Sequence, residues 1–329
     1  MLNRPASKLV VNINQREKRV AAIIVSYNPN LIVFEKELNS IEVQCFVIIV
    51  DNGSDDEFKK FILQKKQNLE KLNVIFLNEN FGIAKALNIG IETAIILGFE
   101  YVLLLDHDSI PNPYLVEVLT HNLDILLERN KKIAAIGPRL IDPRSNKELG
   151  FAVLRNFFWK KVKCGNCEDS SLPCQFINSS GSFINLSAWK IIGKFDEDFF
   201  IDHVETDWYM RARQFQFHCY GVCSTTLIHN LGDDVIKYWL FGWRTMPRRS
   251  PKRHYTIVRN SLWLYNKPYT PFAWKVNNCI KLIFTLVWFS LFDQDRKSQF
   301  KYILKGILDG IFTSAKSIKG KAISSNISE

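Results

Sequence analysis

Apolar residues run in short unbroken blocks through the first third of the chain: Val20–Val25, Phe46–Val50, Val74–Leu77 and Tyr101–Leu105. Blocks of this length predict strands covered on both faces, as in a parallel sheet. Between them the period changes. A helix follows Ser26-Tyr27-Asn28-Pro29 to about Ser40, and another opens at the turn Asp51-Asn52-Gly53-Ser54. Ala84, Leu87, Ile91 and Ala94 recur near helical spacing over 83–97. Strand, turn and helix alternating in this way predict an α/β, doubly wound sheet. Every strand ends in small polar or acidic residues, and these ends fall on the edge where such sheets bind ligands.

Beyond residue 130 the pattern is less regular, with short strands expected at 133–136, 151–154 and 181–185 and a short helix from Leu186. The acid-rich stretch 199–208 precedes a helix that begins near Trp208 and carries Tyr209 to Phe215, and a strand near 219–228 leads to His229. Close to the end, Leu282–Phe292 is apolar but too short to span a bilayer comfortably. Phe300, Ile303, Leu304, Ile307, Leu308 and Ile311 then mark one helical face, opposite Lys301, Lys305 and Asp309. Such a pair of segments suits an interfacial membrane anchor; the competing reading is packing against the main domain or a twin subunit.

The charge distribution sharpens that reading. The 329 residues carry a formal net charge of +10. From Leu231 onward there are 17 Lys and Arg against 6 Asp and Glu, so the whole excess lies in the last third. Its aromatic and aliphatic neighbours favour anionic lipid over nucleic acid as the partner of this region. The leader 1–18 is polar and lacks the apolar centre of a secretory signal. Seven scattered cysteines suggest reduced thiols in a cytoplasmic setting. Cys164-x-x-Cys167 and Cys174 lack an obvious fourth ligand, although Cys219 or Cys223 is available, so free thiols are expected rather than zinc.

The candidate chemistry centres on Asp106-His107-Asp108, directly after a buried strand. Two carboxylates there can share a hard divalent cation and a diphosphate; the same residues, with Ser109-Ile110-Pro111, can instead cap a turn. No G-x-G-x-x-G follows the first strand and no G-x-x-x-x-G-K-[ST] occurs, which argues against a dinucleotide-dependent dehydrogenase and a P-loop phosphotransferase.

Taken in order, Ser-Tyr-Asn (26–28), Asp-Asn-Gly-Ser (51–54), Asn-x-Gly-x-Ala-x-Ala-Leu-Asn-x-Gly (80–90), Asp-His-Asp (106–108), Gly-Ser-Phe (181–183), Phe-Ile-Asp-His-Val-Glu-Thr-Asp-Trp (200–208) and His229 resemble the inverting glycosyltransferases of family 2, with the GT-A fold. The block 250–261, Ser-Pro-Lys-Arg-His-Tyr-Thr-Ile-Val-Arg-Asn-Ser, is similar to a segment of the bacterial rhamnosyltransferases that build cell-surface polysaccharides such as O-antigen or capsule. The resemblance covers roughly 20–265 and implies a Rossmann-like, mostly parallel sheet flanked by helices. It divides the chain into a leader 1–18, a glycosyltransferase domain 19–265 (nucleotide-binding half 19–130, acceptor-binding half 131–265) and a basic amphipathic helical extension 266–329.

The resemblance also implies roles. Asp51 accepts the N3–H of a uracil or thymine. Ser26, Tyr27 and Asn28 flank base and ribose, and Asn80 and Gly82 let the backbone approach the donor. Asn88 orients local structure. Asp106 serves ribose and metal, and Asp108 with His229 ligates Mg²⁺ or Mn²⁺. Glu205 is the base that deprotonates the acceptor, with Asp207 orienting acceptor or structure. The rhamnosyl subgroup has these two acids in the opposite order. Gly181, Asp202, Trp208, Arg253 and Arg259 are expected at the acceptor or diphosphate, and His107 has no catalytic part. The implied donor is a nucleotide-diphosphate sugar, dTDP-rhamnose before UDP-hexose or UDP-galactofuranose. The implied acceptor is a saccharide linked to undecaprenyl diphosphate, met at the inner face of the plasma membrane, and the C-terminal helices can also join two copies. A nucleotidyltransferase and a non-catalytic carbohydrate-binding protein are the rival classes.

Overall fold

A computed structural model describes residues 19–129, 131–144, 146–155, 157–165, 171–229, 234–239 and 243–313. The polar leader and Cys167 lie outside them. In the first part β1 (Val20–Ser26), α1 (Leu31–Ile41), β2 (Phe46–Asp51), α2 (Asp56–Asn68), β3 (Leu72–Phe76), α3 (Ile83–Ile96) and β4 (Tyr101–Asp106) alternate as the pattern predicts. The helix starts carry their own signals. Asn30 caps α1 through its side chain, and Asp55 caps α2, which has Asp56 and Glu57 in its first turn and Lys65 and Lys66 in its last.

The chain continues through β5 (Ile110–Pro111), α4 (Leu115–Glu128), β6 (Ile133–Asp142), β7 (Lys147–Glu148), β8 (Phe151–Arg155), β9 (Phe158–Val162), β10 (Ser171–Cys174), β11 (Phe183–Asn185), α5 (Leu186–Ile192), α6 (Val204–Gln214) and β12 (His218–Ile228). The main sheet has the order β10-β12-β6-β11-β4-β1-β2-β3. β1 pairs in parallel with β2 and β4, β2 with β3, and β6 with β12, while β11 is antiparallel to both its neighbours. The architecture is therefore α/β with a mostly parallel sheet. Along β1, Ala21, Ile23 and Val25 enter one core cluster while Val20, Ala22 and Ile24 enter the other, so helices cover both faces.

After the hairpin β13 (Asp234–Trp239) and β14 (Trp243–Arg248) come α7 (Pro251–Tyr265), α8 (Phe272–Phe292) and α9 (Arg296–Phe312). The apolar tail is longer than expected: α8 is one helix of 21 residues, long and apolar enough to cross a membrane by length and composition, with 11% of its most apolar window buried. α9 packs on α7. Gly306 leaves room for the Tyr255 backbone and Gly310 for Leu262, Tyr255 donates to Asp309, and His254 meets Gln299. Residue 265 is thus no free linker, and the extension is docked on the helix before it.

Two expectations change here. α6 begins at Val204, four residues before Trp208, so Glu205 and Asp207 lie in its first turn. Cys164 is disulfide-bonded to Cys223, 59 positions further along the sequence. The β8–β9 hairpin folds onto β12, with the Phe151 ring against Gly221, and so brings the two thiols together. Cys45, Cys174 and Cys219 are buried free thiols.

Candidate active site

The carboxyl ends of β1, β2 and β4 lie side by side, since Ser26 pairs with Asp51 and Val25 with Asp106. At the first two, the Ser26 hydroxyl donates to Asp51 Oδ1 (3.2 Å) and the Ser54 amide donates to the same carboxylate. Burial raises the Asp51 pKa, and these hydrogen bonds oppose the rise. Asn28, at φ 44°, accepts the Asp55 amide proton at Oδ1, while Tyr27 keeps an exposed ring. Asn80 accepts from the Asn52 side chain and the Gly82 amide. Gly82 has φ 85°, and a Cβ there would strike Phe200; the close approach that glycine permits is to the loop before α6, not to open space. Asn88 binds both backbone groups of Phe195 and so orients local structure, as expected.

At the end of β4, Asp106, Asp108 and His229 bring ligand atoms within 4.8 Å of one another. Asp106 Oδ2 is 3.8 Å from His229 Nε2, and Asp108 Oδ1 is 3.7 Å from His229 Nδ1. Both carboxylates are about one-third exposed and the imidazole is buried. His229 is carried there by β12, whose Ile228 pairs with Ile110 of β5. Behind the ring, Ser109 Oγ lies 2.9 Å from His229 Nδ1 and 2.6 Å from Ser180 Oγ, which accepts the Asp106 amide proton. Burial raises the Asp106 pKa, with His229 opposing and the like charge of Asp108 adding to the rise. Two carboxylates and one imidazole form a donor set for Mg²⁺ or Mn²⁺, and a cation would relieve their mutual repulsion.

Glu205 is held at a pKa of about 7 by burial first, then by the charges of Asp106 and Asp202, with Arg253 opposing. Asp106 and Asp202 thus act on Glu205 through their charge. The loop that delivers Glu205 is strained: Phe200, Asp202 and His203 all have positive φ. Asn260 holds it, donating through Nδ2 to the carbonyls of Phe199, Ile201 and Asp202 at 2.7–2.9 Å.

Several expected site residues lie elsewhere. Asp207 is fully buried, ion-paired with Arg211 and hydrogen-bonded by Tyr269, so it serves structure. Trp208 is not at the acceptor. It stacks on Trp189 in the core and donates to the Gly193 carbonyl, because starting the helix at Val204 turns it inward. Arg259 is 1% exposed, packed on Trp263 and bonded to Asn260 and to the carbonyls of Asp198 and Phe199, which leaves it no reach to a diphosphate. Gly181, at φ 96°, is packed between Leu227 and Pro138. Arg253 and Asp202 form an ion pair at the entry to α6, and both charges act on Glu205. Sequence reasoning gave no site role to Ser109, Ser180 or Asn260: the serines carry no motif of their own, and Asn260 entered only as part of the 250–261 block.

The family model for glycosyl transferase family 2 matches residues 22–163. The dTDP-rhamnosyl transferase RfbF of Shigella flexneri is 30% identical over 301 residues, covering 89% of this chain and 95% of the relative. Among solved structures, S. aureus TarS 1–349 in complex with UDP-GlcNAc matches with a TM-score of 0.55 at 16% identity, covering 89% of this chain and 81% of that one. The mannosyltransferase PcManGT from Pyrobaculum calidifontis, in complex with GDP-Man and Mn²⁺, matches with a TM-score of 0.52 at 13% identity, covering 89% and 87%. At these identities the structural likeness shows the fold.

Proposed function

The chain belongs to glycosyl transferase family 2, and from that membership we propose that it transfers L-rhamnose from dTDP-rhamnose, with inversion, to a lipid-linked saccharide in surface polysaccharide synthesis. The observation that carries this reading is the Asp106–Asp108–His229 group at the sheet edge, whose Asp106 acts through its charge on Glu205. The identity to a dTDP-rhamnosyl transferase over most of both chains supports the donor.

In this reading Asp51, Ser26 and Tyr27 receive the base, with Asn28 and Asn80 shaping the turns around it. Asp106, Asp108 and His229 would hold Mg²⁺ or Mn²⁺, which when bound would offset charge on the departing diphosphate. Glu205 takes the acceptor proton as the hydroxyl oxygen attacks the anomeric carbon opposite the leaving group, and its raised pKa suits a base working near neutrality. Arg253 pairs with Asp202 and so sets the field at Glu205. Asp207 anchors α6 beneath the base.

A thermal-shift panel tests the donor: dTDP-rhamnose, UDP-galactofuranose, UDP-glucose and a nucleoside triphosphate, each with Mn²⁺, Mg²⁺ or EDTA. Metal-dependent stabilisation by dTDP-rhamnose above the others is expected. A preference for the triphosphate would transfer the reading to a nucleotidyltransferase. Stabilisation by a nucleotide-sugar without turnover on any acceptor would favour a binding protein.

A further inference from the structure

On the acceptor side of Glu205 the protein has a cavity of about 420 Å³, within the range of small-molecule sites. Glu205 and Thr206 close one end; Phe151 and Phe176 supply apolar walls; Lys161 of β9 and Lys281 of α8 complete it. None of Asp51, Asp106 or Asp108 lines it, so it is distinct from the donor edge.

The cavity holds an unbalanced charge. Arg139 and Glu148 also line it, but they pair with each other at 3.7 Å. Lys161 and Lys281 have no carboxylate within ion-pair distance among the described residues. Both side chains keep access to solvent. Burial of its surroundings, and then the charge of Lys281, lower the Lys161 pKa; burial and Arg249 lower that of Lys281. Two lysines on the wall of one cavity outnumber the carboxylate of Glu205 there, since Glu148 is paired with Arg139, and form a site for an anionic group such as a phosphoryl or diphosphate.

We propose that this cavity is the acceptor site and that Lys161 and Lys281 bind a phosphoryl group of the acceptor, placing its saccharide hydroxyl at Glu205. The inference rests on the reading of Glu205 as the base. It also gives α8 a reason to be where it is. Phe284 and Trp288 follow Lys281 at helical spacing on the same face and are half-buried, so an apolar chain on that phosphoryl group has a path along α8.

The test is lysine footprinting of the full chain in EDTA, so that the cation site cannot bind the probe. The chain is acylated with acetic anhydride and each lysine is read by peptide mass spectrometry. The probes are inorganic pyrophosphate, farnesyl diphosphate, farnesol and glucuronate. Both phosphoryl probes should protect Lys161 and Lys281, farnesyl diphosphate at the lower concentration, while farnesol and glucuronate should not. Lys281→Gln should weaken pyrophosphate protection of Lys161 about tenfold, and Lys281→Arg should restore most of it. Absence of protection by either phosphoryl probe, or equal protection by glucuronate, would overturn the inference. Equal protection by both phosphoryl probes would keep the lysine site and remove the path along α8. A parallel thermal shift with dTDP and Mn²⁺ reports on the donor edge alone, so failure of the glycosyl-transfer reading shows there and failure of the acceptor site shows in the footprint.

Discussion

Arg253 donates from Nε and from a terminal nitrogen to the two oxygens of Asp202, at 3.1 and 2.8 Å, and so ties α7 to the loop that enters the Glu205 helix. Asp202 is nearly buried; burial raises its pKa, but Arg253, joined by the charge of Arg249 and the hydrogen bond from Thr256, turns the net shift downward. The pair therefore does two jobs, fixing a backbone with positive φ and setting the field at the base.

Replacing the pair in part should separate those jobs. Arg253→Lys keeps the charge but loses the two-point geometry. It should cost roughly 1–2 kcal/mol in urea unfolding, below the range for a fully buried pair because Arg253 is 39% exposed. Arg253→Gln also removes a charge that lowers the Glu205 pKa, so the acid limb of its pH–rate profile should move to higher pH. An unchanged limb in Arg253→Gln would separate the two residues.

Glu205 sets the second prediction. A base must be deprotonated, and its pKa of about 7 places the acid limb of kcat/KM near neutrality, with activity rising as pH rises. A cation beside Asp106 offsets one of the charges that raise this value, so saturating metal should move the limb downward. Glu205→Gln should lower transfer by about 10²–10⁴-fold while leaving the donor-dependent thermal shift in place. Near-normal transfer by that variant would remove Glu205 from the mechanism.

Ser109 makes a prediction about the metal. Its hydroxyl meets His229 Nδ1 at 2.9 Å and so turns Nε2 toward Asp106. Ser109→Ala should weaken Mn²⁺ binding about 10- to 100-fold, read as free Mn²⁺ by electron paramagnetic resonance without any substrate, with partial rescue in Ser109→Thr. Unaltered Mn²⁺ affinity would leave the serine a packing residue.

Glu37 of α1 is fully buried and neither carboxylate oxygen has a hydrogen-bond partner. Burial raises its pKa well above the ordinary value, and the charges of Asp106 and Asp108 add to the rise. The folded state thus binds this proton more tightly than the unfolded state. Its stabilising contribution is complete below the usual carboxylate pKa and is lost as pH rises toward the folded value. The Tm of the natural chain should fall more steeply as pH rises above the ordinary carboxylate range than that of Glu37→Gln. Parallel curves would show that Glu37 does not titrate on unfolding.

The first part of the sheet, β1 to β4, was legible because its signals are local. Unbroken apolar blocks gave β1, β2 and β4, and the polar residues at their ends gave the edge on which Asp51 and Asp106 sit. Asp108 and His229, 120 positions from Ser109 to the histidine, were brought together only by the family resemblance; geometry then put them within 4.8 Å with Asp106. What local pattern could not give was the inward turn of α6. Trp208 lies one turn on from buried Val204 and so shares its inward face, which a helix drawn from residue 208 hides. The same limit hid Arg259. A charged residue reads as solvent-facing until Trp263, Asn260 and two backbone carbonyls are seen to enclose it. The Cys164–Cys223 bond depends on a hairpin folding over β12, a long-range event with no local signature.

The last prediction concerns the helices that close the chain. α9 buries Gln299, Ile303, Gly306 and Gly310 against α7, which leaves Phe300, Leu304, Leu308 and Ile311 exposed, together with Ile283, Val287 and Leu291 of α8. Arg296, Lys297 and Lys301 are exposed on the same helix as the first group. Apolar side chains bordered by cations fit an anionic bilayer surface, where each basic residue adds about 1 kcal/mol and salt weakens the sum. The full chain should float with vesicles containing phosphatidylglycerol, less so with neutral vesicles or at high salt. Replacing Phe300, Leu304 and Leu308 together by serine should reduce binding without lowering Tm, since none of the three is in the core. A dimer in sedimentation velocity that ignores vesicles and is broken by the same three changes would instead make this face a contact between two copies. The distinction matters for Lys281, because only a membrane laid along α8 would deliver an acceptor with its phosphoryl group at the level of that lysine.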